Sequence, residues 1–184
     1  MLQPKSERFN YYMMDESDAD LLFALDQDPE VMRYINGGKV TTRADIETVF
    51  IPRLKSYINQ IEGWGLWKVM LRSNDEFVGW VLVRPMDYFT DKPELDNLEF
   101  GWRFFQSAWG KGFATEAASA IGDCLVAASK NGEIKPVRKI SAIAMAGNQG
   151  SINVMKKLGL TYVKTDIHKD PLGDMEVVFY QKIV

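Results

Sequence analysis

The run Trp109-Gly110-Lys111-Gly112-Phe113-Ala114-Thr115-Glu116-Ala117 joins two glycines, a cation and the start of a helix. Ala114, Ala117, Ala118, Ile121, Leu125 and Ala128 follow at the three- and four-residue spacing of one helix face. A glycine turn that opens a helix presents backbone N–H groups with no partner of their own, and the helix dipole adds positive potential there. Lys111 contributes a full charge, so the chemistry indicated is capture of a phosphate or pyrophosphate. The run lacks the Gly-Lys-Ser/Thr ending of a triphosphate loop, and Thr115 stands where a dinucleotide fingerprint has its third glycine. A tight strand-to-helix turn with no ligand is the competing reading.

Two further features carry chemistry. Glu99 lies in the aromatic strand Leu98–Phe105, where alternation puts Glu99, Gly101 and Arg103 on one face and Leu98, Phe100, Trp102 and Phe104 on the other. A carboxylate in such a strand needs a partner or a function. Arg103 on the same face is the candidate partner. The second feature is Gly147-Asn148-Gln149-Gly150-Ser151, a strand end running into a helix. There Ser151 stands at or near the helix start and reads as an N-cap. His168 is the one histidine, which excludes a multi-histidine zinc site. Its polar strand reads as surface. The single Cys124, in the alanine-rich helix, reads as packing and fits a reducing cytoplasm.

The elements that must position these residues follow from periodicity. Strands are expected over residues 8–14, 66–71, 77–84, 98–105, 139–145, 160–165 and 175–183. Helices are expected after Asp15 or Ser17, from Asp28-Pro29-Glu30 to Gly37-Gly38, after Thr41 or Thr42 with a kink or a break at Pro52, over 112–130, and from Ser151 to Leu158. Residues 86–97 read as a loop. The 184 residues suggest one domain over 1–184, a single α/β or α+β sheet with helices on its faces. A net charge of −3 supplies no global field for nucleic acid, no secretory leader opens the sequence, and no apolar run is long enough for a membrane span.

The Phe100-Gly101-Trp102 strand, the Trp109–Ala117 turn and the later Asn148, Ser151 and Lys157-Leu158-Gly159 resemble the GNAT family of acyl-CoA-dependent N-acetyltransferases, nearest its Rim-type, ribosomal-protein branch. Asp28-Pro29-Glu30-Val31-Met32-Arg33-Tyr34 is similar to that branch as well, and the resemblance covers about residues 8 to 183. The family's pyrophosphate pattern, Gln/Arg-x-x-Gly-x-Gly/Ala, maps onto Trp109, Gly112 and Ala114, with Trp109 replacing the usual Gln or Arg. The resemblance implies a mixed, mostly antiparallel sheet of six to seven strands flanked by helices. It implies acetyl-CoA as co-substrate with no metal. The pyrophosphate would lie on backbone amides from Ser107 through Trp109, Gly110, Lys111, Gly112, Phe113 and Ala114 to Thr115. Pantetheine would lie along Trp102, Phe104 and Phe105 and against Asn148.

For chemistry the resemblance implies Glu99 as the base. Met155 stands where many relatives place a proton-donating tyrosine, and Ser151 is the Rim-type alternative. The acceptor implied is an amine, either a protein N-terminus or a small molecule such as a polyamine or aminoglycoside. The acids of Asp87-Tyr88-Phe89-Thr90-Asp91-Lys92-Pro93-Glu94-Leu95-Asp96 would attract it. No nucleic-acid or membrane partner is expected, and a cytoplasmic monomer or homodimer is. A non-catalytic acyl-CoA sensor is the alternative class. A nucleotide-binding regulator is disfavoured by the missing fingerprints.

Overall fold

The computed structural model describes residues 2–184. Seven strands form one sheet: β1 (Phe9–Met13), β2 (Gly65–Leu71), β3 (Phe77–Met86), β4 (Glu94–Phe104), β5 (Lys139–Ala144), β6 (Thr161–His168) and β7 (Met175–Ile183). Their order is β1-β2-β3-β4-β5-β7-β6. All neighbours are antiparallel except β4 and β5, which are parallel. The helices are α1 (Ala19–Leu25), α2 (Pro29–Asn36), α3 (Arg43–Asp45), α4 (Ile51–Tyr57), α5 (Phe113–Lys130) and α6 (Gln149–Lys157). A parallel neighbour requires a crossover, and α5 provides it. The mostly antiparallel seven-stranded sheet is the architecture that the family resemblance implied.

Each face of the sheet carries its own core. On one face, Ala117, Ala118, Ile121 and Leu125 of α5 pack against Leu98, Phe100 and Phe104 of β4 and Ile140 of β5. Small residues let the helix lie close to an aromatic strand. A Cβ on Gly122 would stand 3.6 Å from Ile140 and 3.8 Å from Phe100. Each buried Leu, Ile or Phe side chain contributes about 1.5–3 kcal/mol. On the other face, Leu22, Leu25, Val31, Ile46, Leu54 and Tyr57 from the α1–α4 region cover Leu66 and Phe77.

Several expected bounds shift: β6 runs on to His168 rather than ending at Thr165, and α6 begins at Gln149 rather than Ser151. β4 begins at Glu94 rather than Leu98, because Glu94 pairs with Met86 across a register shift although its side chain is exposed. Exposed polar strand residues carry no alternation signal. Pro52 does not divide a helix: a π turn over Ile46–Phe50 precedes it and places it in the first turn of α4, where a missing N–H breaks no bond.

Arg103 pairs with Asp26 at 2.6 Å rather than with Glu99, and Thr41 Oγ1 donates to the same carboxylate at 2.8 Å. Asp26 is 3% exposed, and the Arg103 guanidinium lies 5.0 Å from the Trp80 ring centroid. This buried pair ties the α1–α2 corner to β4. Removing one partner strands a buried charge. Asp26→Ala is therefore expected to lower unfolding stability by about 3–5 kcal/mol, while Asp26→Leu with Arg103→Met recovers most of the loss, both read by denaturant titration.

Candidate functional site

Strands β4 and β5 are in register only over Asn97–Lys139, Leu98–Ile140 and Glu99–Ser141. Beyond Glu99, β4 continues to Phe104 on β3, while β5 continues to Ala144 on β7. Gly79 helps draw β4 away: a Cβ there would lie 2.4 Å from the Arg103 carbonyl oxygen, so only glycine lets the two strands approach so closely. The result is a fork whose two inner edges have peptide groups with no strand partner. Such groups require a partner from ligand or water.

The glycine turn closes the mouth of the fork. Gly110 and Gly112 adopt φ of +72° and +73°, a region that L side chains enter at a cost, and Gly112 is the N-cap of α5. No side chain caps this helix, so its first-turn N–H groups at Phe113, Ala114 and Thr115 are free for an anion. Trp109 Nε1 donates to the Phe104 carbonyl at 3.0 Å, folding the indole back on the strand end. Arg8 clamps the turn from beneath. Its backbone N–H and Nε donate to Glu116 at 2.9 and 2.6 Å, its Nη1 donates to the Lys111 carbonyl at 2.9 Å, and its guanidinium covers the Phe113 ring at 4.6 Å. Burial alone would raise the Glu116 carboxyl, but the Arg8 hydrogen bonds outweigh it and hold the group below its ordinary value.

A cavity of about 440 Å³ runs from this turn along the fork. Trp102, Phe104, Trp109, Gly110, Gly112, Phe113, Ala114 and Thr115 line it, with Asn148 and Ser151 opposite. Other expected residues lie elsewhere. Phe105 turns to the opposite face against Phe77, with ring centroids 5.9 Å apart. Ser107 and Lys111 are exposed beside the turn, outside the lining. Helix α2 supplies a wall through Glu30, Val31 and Tyr34, which sequence reasoning missed. The cap and proline of α2 were readable, but nothing local told where the helix docks.

On α6 the N-cap is Asn148, whose Oδ1 accepts from the Ser151 N–H at 3.1 Å. Ser151 is therefore not the cap, and its hydroxyl makes no side-chain hydrogen bond among the described residues. Met155 is 1% exposed and serves the core.

Glu99 sits at the crotch of the fork, opposite Ser141, on the face away from α5. It is 4% exposed, and Arg84 Nε and Nη2 donate to its two oxygens at 2.7 and 3.2 Å. The guanidinium of Arg84 lies 5.1 Å from the Phe89 ring centroid and 5.7 Å from that of Tyr57, whose hydroxyl burial pushes up to about 12. Arg84 was passed over because it ends an apolar stretch, where a charge reads as a strand terminus. Ser141 Oγ bonds Asn97 at 2.7 Å and accepts from Gln181 Nε2 at 2.9 Å, extending the polar row across the sheet. His168 is 9% exposed rather than a surface residue, because it packs on Phe179 of β7, with ring centroids 6.5 Å apart. Cys124 is half-buried, and burial pushes its thiol up.

Gly112→Ala tests the turn. The nearest atom to an added Cβ is Arg8 Nη2 at 3.7 Å, so the methyl has room and only the φ of +73° is strained. A non-glycine residue there costs about 1–2 kcal/mol, and coenzyme A affinity measured by calorimetry is expected to fall about tenfold as the turn relaxes.

The model of the acetyltransferase (GNAT) domain matches residues 8–161. The chain is 30% identical over 148 residues to FsC-acetyl coenzyme A-N(2)-transacetylase of Aspergillus fumigatus, covering 79% of this chain and 59% of that protein's length. Its fold is similar to a GNAT-family acetyltransferase from Bacillus anthracis, with a TM-score of 0.72, 24% identity and 98% of each chain covered. It is also similar in fold to the ribosomal-protein α-N-acetyltransferase RimL in complex with coenzyme A, with a TM-score of 0.70, 15% identity, 100% of this chain and 98% of that one covered. Among the described residues no group of three or more His, Cys, Asp or Glu is placed to hold a metal, and no helix is long and apolar enough to cross a membrane. The chain belongs to the GNAT acetyltransferase family.

Proposed function

We propose that this protein transfers the acetyl group of acetyl-CoA to a primary amine by direct attack. The observation that carries the reading is the β4–β5 fork, with an anion-binding turn at its mouth and a carboxylate at its crotch. The first-turn N–H groups of α5 hold the pyrophosphate. The inner edge of β4 around Trp102, which has no strand partner, pairs with the amide groups of pantetheine as an added strand would, while the Phe104 carbonyl beyond it is held by Trp109. About twelve bonds separate the phosphate oxygen of coenzyme A from its sulfur, roughly the reach of four extended residues, or ~14 Å. Measured back along β4 from Phe104, that brings the thioester toward the crotch at Glu99.

The acceptor enters from the Glu99 face. An α-amino group titrates near ~7.7–8.0 and an alkylamine near ~10.4, so a base must take a proton before attack. Arg84 occupies one lone pair on each Glu99 oxygen, and the carboxylate acts through a water in the fork. The amine nitrogen attacks the thioester carbonyl, the C–S bond breaks, the Ser151 hydroxyl gives its proton to the departing sulfur, and the proton shed by the new amide nitrogen returns through water to the Ser151 oxygen. Asn148 caps α6 in its place, and the freedom this gives the Ser151 hydroxyl supports catalysis over a binding-only sensor.

The finer reading is a protein N-terminal α-amine, supported by the Rim-type resemblance and by Ser151. A small-molecule amine such as a polyamine or aminoglycoside is the alternative acceptor. Thiol release from acetyl-CoA with a panel of both acceptor types tests the reading, and release with none of them contradicts it. Ser151→Ala is expected to lower kcat by about a hundredfold with coenzyme A affinity unchanged. Glu99→Gln should lower kcat by a similar factor, and unchanged turnover would remove that residue from the reaction.

A further inference from the structure

We infer that Phe89 is a positioning residue for the transfer step: its ring, shared by the cations of two ion pairs, keeps the Arg84 guanidinium on Glu99. The inference rests on the acetyl-transfer reading with Glu99 as base, and it names the group that fixes that base in place.

The segment after β3 turns its acids and its aromatics different ways. Asp91 and Glu94 are exposed, whereas Tyr88 and Phe89 are half-buried and pack on the core beneath the α1–α4 region. The turn that aims them is well fixed. Asp87 stands at a φ of +57°, and its carbonyl accepts from the Thr90 N–H at 3.0 Å and from the Thr90 hydroxyl at 2.8 Å. The Tyr88 hydroxyl donates to the Ser56 carbonyl at 2.7 Å, which ties the turn to α4. Phe89 then meets Tyr88 and Tyr57 edge to face, with ring centroids 5.2 and 6.2 Å apart.

Two guanidinium groups come to that one ring. Arg84 lies 5.1 Å from its centroid and Arg53 lies 4.0 Å from it. Each belongs to a shielded ion pair. Arg84 pairs with Glu99 at 2.7 Å, with side chains 7% and 5% exposed. Arg53 pairs with Asp170, with side chains 17% and 12% exposed. The first pair spans opposite residues of β3 and β4. The second joins α4 to the connection between β6 and β7. The two pairs are thus neighbours across a single ring.

Charge alone does not sort these four groups. Both cations carry the same charge and both carboxylates the same opposite charge, so an exchange of partners leaves the total unchanged. An arginine side chain also has many rotamers to lose. The Phe89 ring supplies the missing constraint. Each guanidinium is attracted to its π-system, and the ring occupies ground common to both. Arg84 held in this way keeps Nε and Nη2 on the two Glu99 oxygens, at 2.7 and 3.2 Å. The carboxylate then keeps one orientation towards the water through which it acts. Tyr57 is 6% exposed and lies 5.7 Å from Arg84, so the core beside the pair survives a change at the half-buried Phe89.

Phe89→Leu keeps apolar bulk and removes the aromatic face. It is expected to lower kcat by about tenfold, the effect of one partly desolvated cation–aromatic contact. The KM for the amine, coenzyme A affinity and the unfolding midpoint should stay unchanged, and Phe89→Tyr, which retains the ring, should keep wild-type kcat. In a Glu99→Gln background Phe89→Leu should cause no further loss, because the ring acts through the carboxylate. Wild-type turnover in Phe89→Leu overturns the inference, as does a further tenfold fall in the Glu99→Gln background. Should Glu99→Gln keep full turnover, or no amine release thiol, the reading of Glu99 as base fails instead. A crystal structure of Phe89→Leu then decides the ring's hold alone: Arg84 turned away from Glu99 supports it, and an unchanged pair overturns it.

Discussion

A sheet that is antiparallel everywhere else holds its single parallel pair together over only three residue pairs, Asn97–Lys139 to Glu99–Ser141. Everything around the site follows from that short seam. β3 retains β4 beyond Glu99, β7 retains β5, and the two strands part because each has a better partner on its outer side. The parting exposes backbone groups that a closed sheet would have paired, inside a protein and beside a helix N-terminus. An opening of this kind costs stability unless something polar and extended fills it. The fork is thus both a defect in the sheet and the feature that gives the fold its use.

Two ion pairs hold the ends of this opening. Arg8–Glu116 braces the turn at the mouth, and Arg84–Glu99 fixes the carboxylate at the crotch. Buried pairs like the second contribute little net stability, since desolvation offsets most of the attraction. What they provide is a fixed position for the carboxylate. The same logic applies to Asp26 and Arg103, which hold the α1–α2 corner so that α2 can form a wall of the cavity.

Local patterns made much of this readable from the residues alone. The glycine turn, the amphipathic face of α5 and the division of β4 into Glu99 and Phe100 faces depend on neighbours a few positions apart, and periodicity reports those. The ion pairs were not readable. Arg8 and Glu116 are 108 residues apart, and Arg84 finds Glu99 only because β3 and β4 pair in one register. Glu99 shares a strand face with Arg103, yet a four-residue step along a strand, about 13 Å, is longer than the step of about 5 Å across to Arg84 on the neighbouring strand. His168 was placed at the surface by its polar neighbours, and only the β6–β7 pairing reveals that it packs on Phe179. Ser151 was ambiguous for a related reason: a cap three residues upstream leaves the same serine free, and sequence alone does not show which side chain turns inward.

Hydrogen exchange of the backbone amides along β4, with and without coenzyme A, tests the fork most directly. Amides between Gly101 and Phe104 that face β5 should exchange readily in the free protein and become protected on binding, while those paired with β3 change little. Tight binding of coenzyme A without new protection on that edge would contradict the account.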